Sequence, residues 1–205
     1  IQSVKDLGEL DNTLIIFIMG DNGSSAEDPT GHGFTSEIGV LVNGVVDTED
    51  YMLKHLDDFG GPWISEHFSM SWAHAMNTPF QWDKKIASHL GGSRTGMVIS
   101  WPARIKQTGQ IRSQFAHITD IVPTILEAAN NPQNKKVDGF EQTPIAGKSL
   151  VYSFDNATAP ETHKTQYFEV IANRGFYKDG WLASTTPKNL PWQGHPVPSE
   201  DPVKD

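Results

Sequence analysis

The sequence predicts an α/β protein: part of a mixed sheet flanked by helices, followed by the start of a small antiparallel sheet. Three observations carry that expectation. Residues 13–19, Thr-Leu-Ile-Ile-Phe-Ile-Met, are a continuous, largely β-branched apolar run, the pattern of a strand covered on both faces as in a parallel sheet. Residues 112–129 place Phe115, Ile118, Ile121, Val122, Ile125, Leu126 and Ala129 on one stripe at helical spacing. Residues 164–170 and 181–185 alternate apolar and polar side chains as half-buried strands do.

The remaining elements follow in order. Val4, Leu7 and Leu10 make residues 1–10 the tail of a helix, broken at Asp11-Asn12. The strand at 13–19 ends in Gly20-Asp21-Asn22-Gly23, a turn at the strand edge where open α/β sheets bind ligands. From Ser24 to about Trp82 the chain reads as irregular, with one short helix at 47–59. Loops this long in a compact domain are functional or disordered, yet the Trp, Phe and Met residues between Trp63 and Trp82 require some packing. Residues 84–90 read as a short helix or turn, and residues 96–101 as a second strand stopped by Pro102. Pro123 inside the 112–129 stripe predicts a kink, or two helices meeting there. Residues 130–143 read as polar loop. Asn173-Arg174-Gly175 and Lys178-Asp179-Gly180 read as the turns joining the C-terminal strands. Beyond Pro187 the chain is Pro-rich and polar. The expected division is a main α/β portion over 1–150 and the start of an antiparallel subdomain over 151–205.

Composition narrows the function classes. Sixteen Lys and Arg against 25 Asp and Glu give a net charge of -9, which argues against a general binder of nucleic-acid backbone. A buried anion site needs only two or three local cations and is untouched by that argument. The absence of cysteine excludes disulfides, thiolate metal sites and a cysteine nucleophile within these residues. No apolar run reaches the length of a membrane span.

Several residues could carry chemistry. Asp21 and Asn22 offer a carboxylate and an amide carbonyl, hard oxygen donors suited to Ca²⁺ and, less well, to Mg²⁺. Asp-Asn-Gly is equally good turn chemistry, and two donors cannot complete a Ca²⁺ site. Lys84 and Lys85 precede Gly91-Gly92-Ser93-Arg94, a setting in which an ammonium could hold a tetrahedral oxyanion, or simply a solvated basic turn. His74 lies between Trp72 and Met76 as a further candidate. His117, beside Asp120 on the expected helix, reads as a structural imidazole. Ser100-Trp101-Pro102-Ala103-Arg104 spells Ser-x-Pro-x-Arg, the pattern from which some hydrolases make a formylglycine nucleophile. A bulky Trp stands where that motif expects a small residue, so the match reads as accidental. Asn156-Ala157-Thr158 fits a glycosylation acceptor.

Taken together, five collinear segments resemble the type I sulfatases, bacterial arylsulfatases in particular. They are Asp11 through Gly23, Asn77-Thr78-Pro79-Phe80-Gln81-Trp82, Lys85 through Arg94, Met97 through Pro102, and His117 through Glu127. Gln166-Tyr167-Phe168-Glu169 and Tyr177-Lys178-Asp179-Gly180-Trp181 are similar to that family's C-terminal sheet. The resemblance implies an alkaline-phosphatase-like fold and hydrolysis of sulfate esters by a formylglycine nucleophile. It implies Asp21 and Asn22 as two Ca²⁺ ligands and Lys85 as the lysine that contacts sulfate, with Lys84 the alternative one position away. His74 is carried as a substrate-binding candidate. The nucleophile and the other acidic ligands belong to a first half absent from these residues, so the segment is expected to be inactive alone. A sulfate-ester small molecule or sulfated glycan is the implied substrate, with residues 24–75 and 130–160 as the specificity loops, and a periplasmic or secreted location follows from the same resemblance. Two alternatives remain at this stage: a phosphodiesterase or phosphonate hydrolase of the same superfamily, and a truncated, non-catalytic fragment.

Overall fold

The computed structural model describes residues 1–26, 43–44, 47–62, 64–67 and 69–187. Residues 27–42 and 45–46 of the expected specificity loop, Trp63, Phe68 and the Pro-rich tail beyond Pro187 lie outside the described residues. The chain forms two compact units interleaved in sequence. One comprises Ile1–Asp21, Gly96–Gln166 and Tyr177–Leu182; the other comprises Asn22–Thr95, Tyr167–Phe176 and Ala183–Asp205.

The first unit opens with helix α1 (Gln2–Asp6), a 3-10 turn at Leu10–Asn12 and strand β1 (Ile15–Ile18). β1 pairs antiparallel with β2 (Met97–Ser100), in register from Ile15 opposite Ser100 to Ile18 opposite Met97. The Met19 N–H continues the ladder to the Gly96 carbonyl at 3.0 Å. This corrects the expected parallel strand covered on both faces. Phe17 and Val98, directly opposite each other, are 60% and 62% exposed. Residues opposite each other across a ladder share a face, and that face is open to solvent on both strands. An apolar run reports that a strand favours cover; it carries nothing about the direction of its neighbour.

The expected helix at 112–129 is shorter. Helix α5 (Ile121–Ala128; α2, Glu49–Lys54, α3, Met70–Asn77, and α4, Leu90–Ser93, belong to the second unit) follows a 3-10 turn at Ile118–Asp120. Pro123 therefore falls in the first helical turn, where a missing N–H has no intrahelical partner to lose. The proline marks a helix start rather than a kink. His117 precedes the 3-10 turn instead of lying on a helix: its backbone N–H donates to Asp120 Oδ2 at 2.8 Å, and its Nδ1 accepts from the Thr119 N–H at 3.3 Å. The expected polar loop at 130–143 contains a small antiparallel hairpin, β3 (Lys136–Val137) and β4 (Phe140–Glu141). Its turn is Asp138-Gly139, both left-handed at φ 50° and 86°, the preference of a two-residue hairpin loop. Leu150 and Phe154 are the buried apolar residues of this unit, and the Trp101 ring meets Phe154 edge-on at 6.5 Å.

In the second unit, helix α2 (Glu49–Lys54) lies within the expected 47–59 helix. Thr48 caps it, its side chain accepting from the Tyr51 N–H, with Glu49 and Asp50 at the positive end of the helix dipole and Lys54 at the other. Helix α3 (Met70–Asn77) occupies a stretch expected to be irregular. Its start is set by the Ser69 hydroxyl, which accepts from the Trp72 N–H at 3.4 Å. Helix α4 is the single turn Leu90–Ser93. Among the described residues of this unit, Ala26, Ala73, Ile86 and Ala87 are the buried apolar ones.

The last sheet has three strands in the order β5 (Thr165–Val170), β6 (Asn173–Lys178) and β7 (Trp181–Ser184). The expected Asp179-Gly180 turn is present, at φ 45° and 89°. The other expected turn is not. Asn173, Arg174 and Gly175 lie within β6, and the chain reverses at Ile171-Ala172, at φ 50° and 62°. The protein is thus mixed α/β with small antiparallel sheets. No described helix is long and apolar enough to cross a membrane.

Candidate anion and metal site

Asp21 and Asn22 follow β1 in a bend, and both residues are exposed. The chain then turns inward. Gly23 is buried and donates its N–H to the Gly92 carbonyl at 3.0 Å. The next carbonyl, that of Ser24, accepts from the Lys84 N–H at 3.0 Å. Two backbone hydrogen bonds therefore seat the residues after Asn22 against the segment that carries Lys84 and Lys85.

Glycine is required where these backbones meet. A Cβ on Gly23 would overlap the Gly91 carbonyl oxygen, and one on Gly91 would overlap the carbonyl oxygens of Gln81 and Trp82. A Cβ on Gly92 would press on the Ile86 and Asp83 carbonyls. The Gly91-Gly92 pair of the sequence thus permits three stretches of main chain to pack directly on one another.

Asn77, at the end of α3, is the side chain that joins them. Its Oδ1 accepts from the Ser24 N–H at 3.0 Å, and its Nδ2 donates to the Trp82 carbonyl at 3.1 Å and to Asp83 Oδ1 at 2.6 Å. Asp83 is 3% exposed. Desolvation raises its pKa above 3.8, against smaller lowering by the Asn77 hydrogen bond and by the charge of His74. His74 itself is exposed on α3.

The folded Asp83 carboxyl titrates above the unfolded 3.8, so the native chain holds its proton more tightly and stability falls as pH rises through that interval. Asp83→Asn keeps an oxygen for Asn77 and removes the desolvated charge. It is expected to raise the urea midpoint at neutral pH and to flatten the acid-side pH dependence. A midpoint below the parent's at neutral pH would contradict this account.

Lys85 is half-buried, and its backbone is left-handed at φ 80°; Trp82, three residues earlier, is left-handed at φ 69°. For residues other than glycine such conformations cost about 1–3 kcal/mol each and persist only where surrounding contacts hold them. The contacts are visible. The Trp82 carbonyl takes the Asn77 amide, and the Lys85 carbonyl takes the amide of Asn173 at 3.3 Å. Neither asparagine carries a sequence signal that marks it as part of a site. Asn77 stood in a segment with family resemblance but without an assigned role, and Asn173 read as turn chemistry.

Donor chemistry fits a hard cation in part. Asp21 and Asn22 are the right oxygen types for Ca²⁺, which takes six to eight. Among the described residues, no group of three or more His, Asp or Glu side chains gathers to hold a metal. Ser100, the residue of the accidental motif, is paired opposite Ile15 at the end of β2.

A family model described as Sulfatase matches residues 1–131, and the chain belongs to the sulfatase family. It is 30% identical over 192 residues to an uncharacterized sulfatase of Schizosaccharomyces pombe, covering 92% of this chain and 32% of that protein. It is 25% identical over 169 residues to an arylsulfatase of Klebsiella aerogenes, covering 82% of this chain and 33% of that one. The chain spans about a third of the length of these relatives.

Proposed function

We propose that this chain forms the cation- and sulfate-handling portion of an arylsulfatase-type hydrolase with an alkaline-phosphatase-like fold. The observation that carries the reading is the hydrogen-bonded junction of Gly23 and Ser24 with Gly92 and Lys84. It brings the stretch that begins at Asn22 beside the lysine-bearing loop, as a shared cation and sulfuryl site needs.

In this reading Asp21 and Asn22 contribute two oxygen ligands to Ca²⁺, and further ligands come from polypeptide outside this chain. The bound cation would supply positive charge beside the sulfate oxygens. The Lys85 ammonium donates charge-assisted hydrogen bonds to a non-bridging or leaving oxygen of the ester, offsetting charge that grows there in the transition state. His74 contributes to substrate binding from α3. The nucleophile, a formylglycine hydrate, is also supplied from outside: this chain has no cysteine, and its Ser100 is a strand residue. Sulfate esters of small molecules or glycans are the substrate class, and a periplasmic or secreted setting suits it.

Calorimetric titration tests the cation half. The chain is expected to bind Ca²⁺ weakly, with a dissociation constant on the order of a millimolar, because two ligands make a partial site. Asp21→Ala should abolish the signal. Undiminished Ca²⁺ binding in that variant would refute the assignment, and turnover of an aryl sulfate by the purified chain would refute the division of labour.

A further inference from the structure

We infer that Asn173 is a positioning residue for Lys85, holding the backbone from which the sulfate-binding ammonium projects; this rests on the assignment of Lys85 made above. Asn173 opens β6 and is 3% exposed. Its Nδ2 donates to the carbonyls of Val170 at 3.2 Å and Ile171 at 3.3 Å, and to the Lys85 carbonyl, 88 residues away in sequence, at 3.3 Å. One amide therefore closes its own hairpin turn and grips the lysine loop.

Two features make that grip more than incidental packing. Lys85 is left-handed at φ 80°, a costly state that the bond from Asn173 to its carbonyl helps to hold. Without that bond φ at Lys85 can return toward negative values, which turns the Cα–Cβ bond about the N–Cα axis and with it the direction in which the side chain leaves the main chain. Next to the grip, Gly175 packs so closely that a Cβ there would sit 3.1 Å from the Ala87 carbonyl oxygen and 3.3 Å from the Ser88 Cα. β6 is thus laid along residues 85–88 by backbone proximity, and the amide of Asn173 makes a polar contact with the lysine. Asn77 treats the other left-handed residue, Trp82, in the same way. The loop between them is braced at both ends by asparagine amides, half-buried at Asn77 and buried at Asn173, and Asn173 is the brace that touches Lys85 itself.

The test uses the full chain with inorganic sulfate as the probe, its affinity read from the shift of backbone amide resonances around Lys85. Four proteins are compared: the parent, Asn173→Ala, Lys85→Ala and the double variant. Asn173→Ala is expected to weaken sulfate about 3- to 10-fold, the loss that follows one missing hydrogen bond. In the Lys85→Ala background the same change should cost nothing further, which a merely structural role would not produce. Parent-like sulfate affinity in Asn173→Ala, or equal losses in both backgrounds, overturns the inference. If Lys85→Ala alone binds sulfate as the parent does, the assignment of Lys85 itself fails, and that arm reports it separately. Asn173→Asp, which keeps the volume and loses the donor, is read in place of an alanine variant that does not fold; failure of both to fold assigns Asn173 to the core and also overturns the inference.

Discussion

Replacing Asp120 with alanine is expected to lower the unfolding free energy by about 3–5 kcal/mol. Asp120 is fully buried, at 0% exposed, and every oxygen it owns is used. Oδ2 accepts from the His117 N–H at 2.8 Å, and Oδ1 accepts from the Lys148 N–H at 2.7 Å. His163 Nδ1 lies 2.8 Å and 3.0 Å from the two carboxylate oxygens, while its Nε2 faces the Thr165 carbonyl at 3.1 Å. The backbone carbonyl of Asp120 takes the Thr124 hydroxyl at 2.6 Å, and that hydroxyl accepts from the Leu150 N–H at 2.9 Å. Alanine strands two backbone donors and a ring nitrogen in a site without water access, and each buried orphan carries its own desolvation penalty. Asp120→Asn should fall between, since one oxygen remains while its NH₂ meets a group that also donates. Urea unfolding monitored by tryptophan fluorescence checks both variants. A loss below about 1 kcal/mol for alanine would mean that the site opens to solvent.

The second large effect is expected at Gly91. Gly91→Ala places a methyl group against the carbonyl oxygens of Gln81 and Trp82, while the Gly91 N–H must keep its bond to the Gln81 carbonyl at 2.9 Å. The obstacle is main chain, which cannot rotate aside as a side chain can. We expect a loss of about 3 kcal/mol, the upper range for overpacking. The damage should also be directional. Gly23 rests on the Gly91 carbonyl, so displacement of α4 breaks the junction between the stretch after Asn22 and the lysine loop. Hydrogen exchange at the Gly23 and Lys84 amides should therefore accelerate more than at the β1–β2 ladder. Uniform acceleration, or a stability within about 0.5 kcal/mol of the parent, would show that the backbones are not in contact.

Much of the local structure around Asp21, Asn22 and Lys85 is legible in the sequence. The strand Ile15–Ile18, the turn at Asp21-Asn22, the strand Met97–Ser100 and the Asp179-Gly180 reversal were all anticipated, because each is specified by neighbours a few residues away. The Gly91-Gly92 pair stands out in the sequence as well, though for its proximity to lysine rather than for the backbone crossing it permits. Less accessible were β6, α3 and the true start of α5. Asn173-Arg174-Gly175 has the composition of a turn, yet it is strand because Asn173 reaches Lys85 and Gly175 lies against Ala87. Ile171 and Ala172 carry no preference for the left-handed backbone they adopt. The turn sits there because Asn173 bonds the carbonyls of Val170 and Ile171.

By itself the amino-acid sequence determined the family, the oxygen donors at Asp21-Asn22 and ammonium groups at Lys84-Lys85 on which the proposed site rests, and the elements whose signals are short-range. Only the tertiary structure decided the antiparallel pairing of β1 with β2, the placing of Ser24 against Lys84, and the two asparagines that hold Trp82 and Lys85 in unfavourable backbone states. Those outcomes depend on contacts between residues as far apart as 53 and 88 positions, as in Ser24 with Asn77 and Asn173 with Lys85. A side chain's own chemistry states what it can bond, and the folded chain decides which distant carbonyl comes within reach.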